Sequence, residues 1–133
     1  MELSIDEKDL SYIAGFFDGE GCITLNGNYL GLTVSASNTV LKPLEFMQKT
    51  LGGRILARTG LKKKFPQHKL SFDWRIYGPK AASVLALLLP YLKVKREQAM
   101  LGIELVLAKP NDRVDIAVKI RVLNKGGDLR YLN

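Results

Sequence analysis

"IAGFFDGEG", residues 13–21, is the stretch on which the reading of this chain turns. Upstream of it, "SIDE" (Ser4–Glu7) has capping-box spacing, which predicts a helix from about Ile5 or Asp6 to about Asp18. Leu10, Ile13, Ala14 and Phe17 fall at i, i+3, i+4 and i+7 and form its core face. A second face carries Ser11, Ala14, Gly15 and Asp18. Three of these are small, which lets another backbone approach closely, by analogy with small-residue helix pairs in membranes. Asp18 and Glu20 then close the helix, where the dipole favours positive charge. Taken alone, the stretch is a helix stop, with Gly19 and Gly21 as breakers and two solvated acids.

The rest of the chain shifts that balance. Its 133 residues suffice for a single domain, and 47% of them are hydrophobic, enough for a substantial core. Lys and Arg number 20 against 13 Asp and Glu, and the formal charge of +7 favours a polyanionic partner, nucleic acid foremost. Cys22 is the sole cysteine, which excludes an intramolecular disulfide and a cysteine zinc cluster. His68 is the sole histidine, which argues against a Ser-His-Asp triad and a histidine-rich metal site. Met1–Asp9 is acidic and polar, so no secretory leader is expected. The longest apolar run, Ala81–Leu92, is short and proline-broken, so no membrane association is expected and the protein is read as soluble and intracellular.

After Gly21 the hydrophobic period changes to two. "CITLNGNYLGLTVSAS" reads as a hairpin turning at Asn26-Gly27, with Ile23, Leu25, Leu30, Leu32 and Val34 inward. Cys22, Thr24, Tyr29, Thr33 and Ser35 face the other way. Leu41–Leu51 is a short amphipathic helix stopped by Gly52-Gly53. In the second hairpin, "RILART" leads through a basic loop with Lys62, Lys63 and Lys64 to "KLSFDWRIY". Leu70, Phe72, Trp74 and Ile76 point to the core, while Lys69, Ser71, Asp73 and Arg75 point away, beside Arg54 and Arg58. This outer face is either a solvated surface or a sheet laid in a nucleic-acid groove, where polar side chains read base edges and lysines meet phosphates. Helices are expected from Gly78-Pro79 to about Leu89, from Lys95 to Ala108, and from a cap at Asn111 or Asp112 to Asn124. The order predicts an α+β domain, a four-stranded antiparallel sheet with helices on one face.

Ile13–Gly21 resembles the signature of the LAGLIDADG homing endonucleases, and the αββαββα order is similar to that family's core fold. The resemblance covers about residues 8–108, with 109–133 as a C-terminal helical extension of the single domain 1–133. It implies a site-specific double-strand DNA endonuclease, intron-encoded and Mg²⁺-dependent, that cuts a long, partly palindromic target. With one motif per chain it implies a homodimer, packed through Ser11, Ala14, Gly15 and Asp18. It makes Glu20 the catalytic metal ligand, with the Gly19 carbonyl as a second ligand, and casts Asp18 as structural. "LPYLKVKREQA" matches the stretch where the family often places an active-site lysine, here Lys95, with Lys93 the weaker choice. Thr24, Tyr29, Thr33, Ser35, Arg54, Arg58, Lys62, Lys63, Lys64, Lys69, Ser71, Asp73 and Arg75 are the expected DNA-binding set. The chain departs from members that carry a glutamine at the end of the second strand; Ala36 stands nearest that position, and no residue is assigned to its role. An RNA-binding maturase acting on intron RNA and a non-cleaving DNA-binding regulator are the alternatives on the same fold.

Overall fold

The computed structural model describes residues 5–27 and 31–131, without the side chains of residues 61, 62 and 131. Helix α1 (Glu7–Glu20) leads into β1 (Gly21–Asn26) and β2 (Gly31–Asn38), then α2 (Leu41–Leu51) and β3 (Arg54–Arg58). A short helix α3 (Thr59–Lys64) and β4 (Ser71–Tyr77) follow, then α4 (Gly78–Leu88), α5 (Arg96–Leu107) and α6 (Pro110–Asn124). The strands form one sheet in the order β1-β2-β4-β3, every neighbour antiparallel. The α+β architecture and the αββαββα order predicted from the sequence are those observed.

The 3.6 and 2.0 periods meet in one core. Leu10, Ile13, Ala14 and Phe17 of α1 and Leu44 and Met47 of α2 are buried, and so are Val84, Leu85 and Leu88 of α4. The sheet adds Ile23, Leu32, Val34, Ala36, Trp74 and Ile76 to the same cluster. The Trp74 indole Nε1 donates to the Gly52 carbonyl at 2.7 Å, which ties the α2–β3 corner to the middle of β4. Helix α6 buries Ile116, Ala117 and Ile120. Its Asn124 carboxamide donates to the Ile23 carbonyl of edge strand β1 at 2.8 Å, so this helix satisfies part of that edge.

Several boundaries differ from the sequence reading. Asp6, not Ser4, is the N-cap of α1, and its side chain accepts from the Lys8 amide. Ser4 lies outside the described residues, as do Tyr29, Leu30 and the Lys62 side chain. The first hairpin does not turn on Asn26-Gly27 alone. Asn26 still pairs with Gly31, so the connection spans four residues. Lys69 lies before β4, because β3 ends at Arg58 opposite Ser71 and offers no ladder partner further on. The basic loop is partly helical, as α3.

Gly21 joins α1 to β1 where only hydrogen fits, since a Cβ there would run into the Phe17 ring. Phe17 is fully buried and has no room to swing away. Gly21→Ala is therefore expected to cost about 1–3 kcal/mol by overpacking. A lower denaturant midpoint at unchanged slope checks this; an unchanged midpoint contradicts it.

Candidate functional site

Helix α1 carries two acids and no basic residue in its last turn, so its negative end is not neutralised from within. The missing cation comes from far along the chain. Lys95 Nζ donates to the Asp18 carbonyl at 2.7 Å. The Asp18 carboxylate in turn accepts the Lys93 amide at 2.8 Å and the Lys95 amide at 3.0 Å, one on each oxygen. Asp18 thus pins the segment entering α5 to the foot of α1, with buried Leu92 beneath it. At the opposite end of α1, the Tyr91 hydroxyl donates to the Glu7 carboxylate at 3.0 Å, and this bond holds the phenol above its ordinary pKa.

Glu20 behaves differently. It is exposed at the end of α1, and among the described residues no hydrogen-bond or ion-pair partner engages it. Helix α1 continues through Gly19, two residues beyond the predicted stop at Asp18, and this carries Glu20 to the helix foot. A free carboxylate at the carbonyl end of a helix offers hard oxygen donors in a negative field, a donor set suited to Mg²⁺ or Ca²⁺. Among the described residues no three His, Cys, Asp or Glu side chains gather closely enough to hold a metal. A cation at Glu20 would thus need further oxygens, from backbone carbonyls, a phosphate or a second copy of the chain.

The small-residue face of α1 is narrower than the sequence suggested. Ser11, Gly15 and Gly19 form an exposed stripe one turn apart, and a Cβ on either glycine would meet nothing within 4 Å. Ala14 does not belong to this stripe, because it is fully buried within its own chain. Asp18 is half-buried and engaged by the Lys93 and Lys95 amides rather than turned outward.

Away from the helices, the strand register assembles the outer face of the sheet. Arg54, Arg75, Ser35 and Cys22 lie side by side across all four strands. The next row towards the α3 end is Leu56, Asp73 and Ser37, then Arg58 and Ser71; Tyr77, Thr33 and Thr24 form the row on the opposite side. Arg54, Arg58, Lys63, Lys64 and Lys69 are exposed, while Thr24, Ser35, Ser71 and Arg75 are half-buried.

Two predicted contact residues are sealed within this face. Thr33 is 5% exposed, and its hydroxyl donates to the Asn26 carboxamide oxygen at 2.8 Å. Asp73 is 4% exposed. It accepts the Ser37 hydroxyl at 2.5 Å and Arg75 Nη2 at 2.8 Å, with Arg58 Nε at 3.7 Å. The Arg75 guanidinium is held above its ordinary pKa, first by its hydrogen bond to Asp73 and then by one to Tyr77. Both residues were assigned to the correct face. Their burial arises because neighbours on adjacent strands close over them.

Residues that the sequence reading passed over include Ser37, which holds Asp73, and Tyr77 and Lys80. The latter two line a cavity of about 350 Å³ with Gly53, Arg54 and Arg75. Alternation already put Tyr77 on the outer face, whereas Lys80 depends on the turn into α4. Asn38 ends β2 beyond Ala36, the partner of Gly21, so β2 runs past the start of β1.

Comparison with known proteins gives the family. No family model matches the chain. It is 31% identical over 120 residues to the DNA endonuclease I-CvuI of Chlorella vulgaris, covering 81% of this chain and 70% of that protein. Its fold matches the crystal structure of the homing endonuclease I-CvuI bound to its target in the presence of calcium, with a TM-score of 0.70 and 24% identity over 89% of this chain and 85% of that one. It also matches the archaeal intron-encoded homing endonuclease I-Vdi141I complexed with DNA, with a TM-score of 0.69 and 19% identity over 86% and 83% of the two chains. Ile13–Glu20 thus forms the second half of the first helix of a shared fold and ends on a carboxylate that no described residue engages, and by its likeness to I-CvuI the chain belongs to the LAGLIDADG homing endonuclease family.

Proposed function

We propose that the protein is a site-specific endonuclease that hydrolyses both strands of a partly palindromic DNA duplex as a homodimer, using Mg²⁺. The observation that carries this reading is Glu20, exposed and without a partner among the described residues at the foot of α1, at the end of an open stripe of Ser11, Gly15 and Gly19. One such carboxylate per chain serves one active species only if two α1 helices pack together, and the stripe is where a second backbone fits. The DNA complexes of I-CvuI and I-Vdi141I support duplex DNA as the substrate class. An intron reading frame is the origin this reading favours.

Each group has a distinct task. The Glu20 carboxylate and the Gly19 carbonyl would hold the divalent ion, which supplies Lewis acidity and a lowered water pKa. Lys95 Nζ spends one N–H on the Asp18 carbonyl, leaving two donors to orient a phosphate oxygen or the attacking water. Asp18 keeps Lys95 in place and stays clear of the reaction. The arginine-bearing sheet face binds the duplex, with Arg75 reading a base edge and Lys63, beside it in chain order Lys64, meeting phosphates. Lys62 and Tyr29 belong to the same proposed contact set.

The function is tested on a supercoiled plasmid carrying the joined sequences that flank the reading frame's intron. Linear product with Mg²⁺, and none with a chelator, supports the reading; supercoiled DNA under both conditions contradicts it. The phosphate role is tested separately. Lys63→Ala should weaken target and unrelated duplexes alike and flatten the salt dependence of binding by about one counterion per subunit. A change confined to the target sequence contradicts that role.

A further inference from the structure

We propose that Asp73 is a positioning residue for sequence readout, a buried counter-charge that orients Arg75 and Arg58 on the outer face and does not itself meet the DNA. The proposal rests on the nuclease reading above.

A carboxylate is an odd residue to find in a surface meant for a polyanion, since at close range it repels phosphate. The burial pattern resolves this. Asp73 has a side chain 6% exposed, whereas those of Arg75 and Arg58 are 41% and 53% exposed. The negative group is covered and the positive groups stand outside it. One carboxylate oxygen takes the Ser37 hydroxyl and the other faces both guanidinium groups, and with the side chain only 6% exposed these covering groups, rather than the carboxylate, stand between it and the DNA.

The register explains why a counter-charge is needed. Arg54 lies directly opposite Arg75, and like charges in that relation repel. Asp73, two residues along β4, holds the Arg75 guanidinium at 2.8 Å and offsets that repulsion. A free arginine side chain has rotamer freedom to lose on making a base contact. Fixing the guanidinium beforehand removes part of that cost and selects one geometry. Ser37 anchors the carboxylate to β2, the strand whose end runs past Gly21, so the arginines keep a fixed register relative to the foot of α1.

The test compares the full-length wild type with Asp73→Asn, Arg75→Ala and the double variant. Cleavage is profiled on targets carrying every single base-pair change, and binding to an unrelated duplex is titrated against salt. Asparagine keeps the shape and the Ser37 bond but removes the charge. We expect Asp73→Asn to lower discrimination about tenfold at the same base pair that Arg75→Ala relaxes. The double variant should lose little more at that pair. Binding of unrelated DNA should tighten, with a salt dependence steeper by about one counterion, opposite in sign to Lys63→Ala. If Asp73→Asn proves too unstable to assay, Ser37→Ala keeps the charge and frees its anchor, and a smaller relaxation at the same base pair is expected. An unchanged specificity profile in the variant assayed, or a uniform loss on all sequences, overturns the proposal while leaving the nuclease reading intact. A wild type that shows no sequence preference overturns both.

Discussion

Glu20→Gln is expected to bind the target duplex as the wild type does, in Ca²⁺ or without metal, and to fail to cut it. The substitution keeps size and exposure and removes a charge at the foot of α1 that no partner engages among the described residues. Nothing in the fold leans on that carboxylate, so melting should be unaffected. Binding is assigned here to the sheet face, which the substitution does not touch. Cleavage should fall by about a thousandfold or more, because metal stabilisation of transition-state charge is worth several kcal/mol. Activity within about tenfold of the wild type would remove Glu20 from the metal site. The contrast with Asp18 sharpens the test. Asp18→Asn should reduce stability as well as activity, since its carboxylate holds two backbone amides of the segment before α5.

The second large effect is on assembly. Gly15→Leu should convert a dimer to a monomer in sedimentation and abolish double-strand cleavage, while leaving helicity and monomer stability nearly intact. Gly15 is exposed and a Cβ there meets nothing in its own chain, so leucine obstructs only a second copy. Within the helix, replacing glycine even gains a few tenths of a kcal/mol, up to about 1 kcal/mol, of intrinsic propensity. Ala14→Leu, one residue away, should instead lower stability, because Ala14 is fully buried. A Gly15→Leu protein that stays dimeric would refute packing through this stripe. A wild type that is monomeric both free and on an uncleaved duplex would refute the dimer itself.

Local periodicity made much of this legible in the sequence. The core faces of α1, β1, β2 and β4 follow from spacing alone, and the nine residues from Ile13 to Gly21 point to the family. What escaped depends on partners distant in the chain. The end of α1 was placed at Asp18 because two acids and two glycines suggest a stop. The helix extends to Glu20, and Lys95, 77 positions from the Asp18 carbonyl it binds, supplies the cation its last turn lacks. Ala14 lies between the core face and the small face, and only packing decided that it turns inward. Asp73 and Thr33 had the correct parity, but parity cannot tell an exposed outer residue from one covered by adjacent strands. Lys69 continues the alternation of β4 on paper, yet a strand ends where its partner does, and β3 stops at Arg58.

The most direct measurement is selection of cleaved duplexes from a randomised library, followed by sequencing of the cut ends, for the wild type and Glu20→Gln in parallel. The wild type with Mg²⁺ is expected to enrich one set of partly palindromic sites cut on both strands, and neither Glu20→Gln nor the wild type with chelator is expected to enrich any. Wild-type cutting that persists in chelator, equal cutting by Glu20→Gln, or cut sites with neither a shared sequence nor twofold character would contradict it.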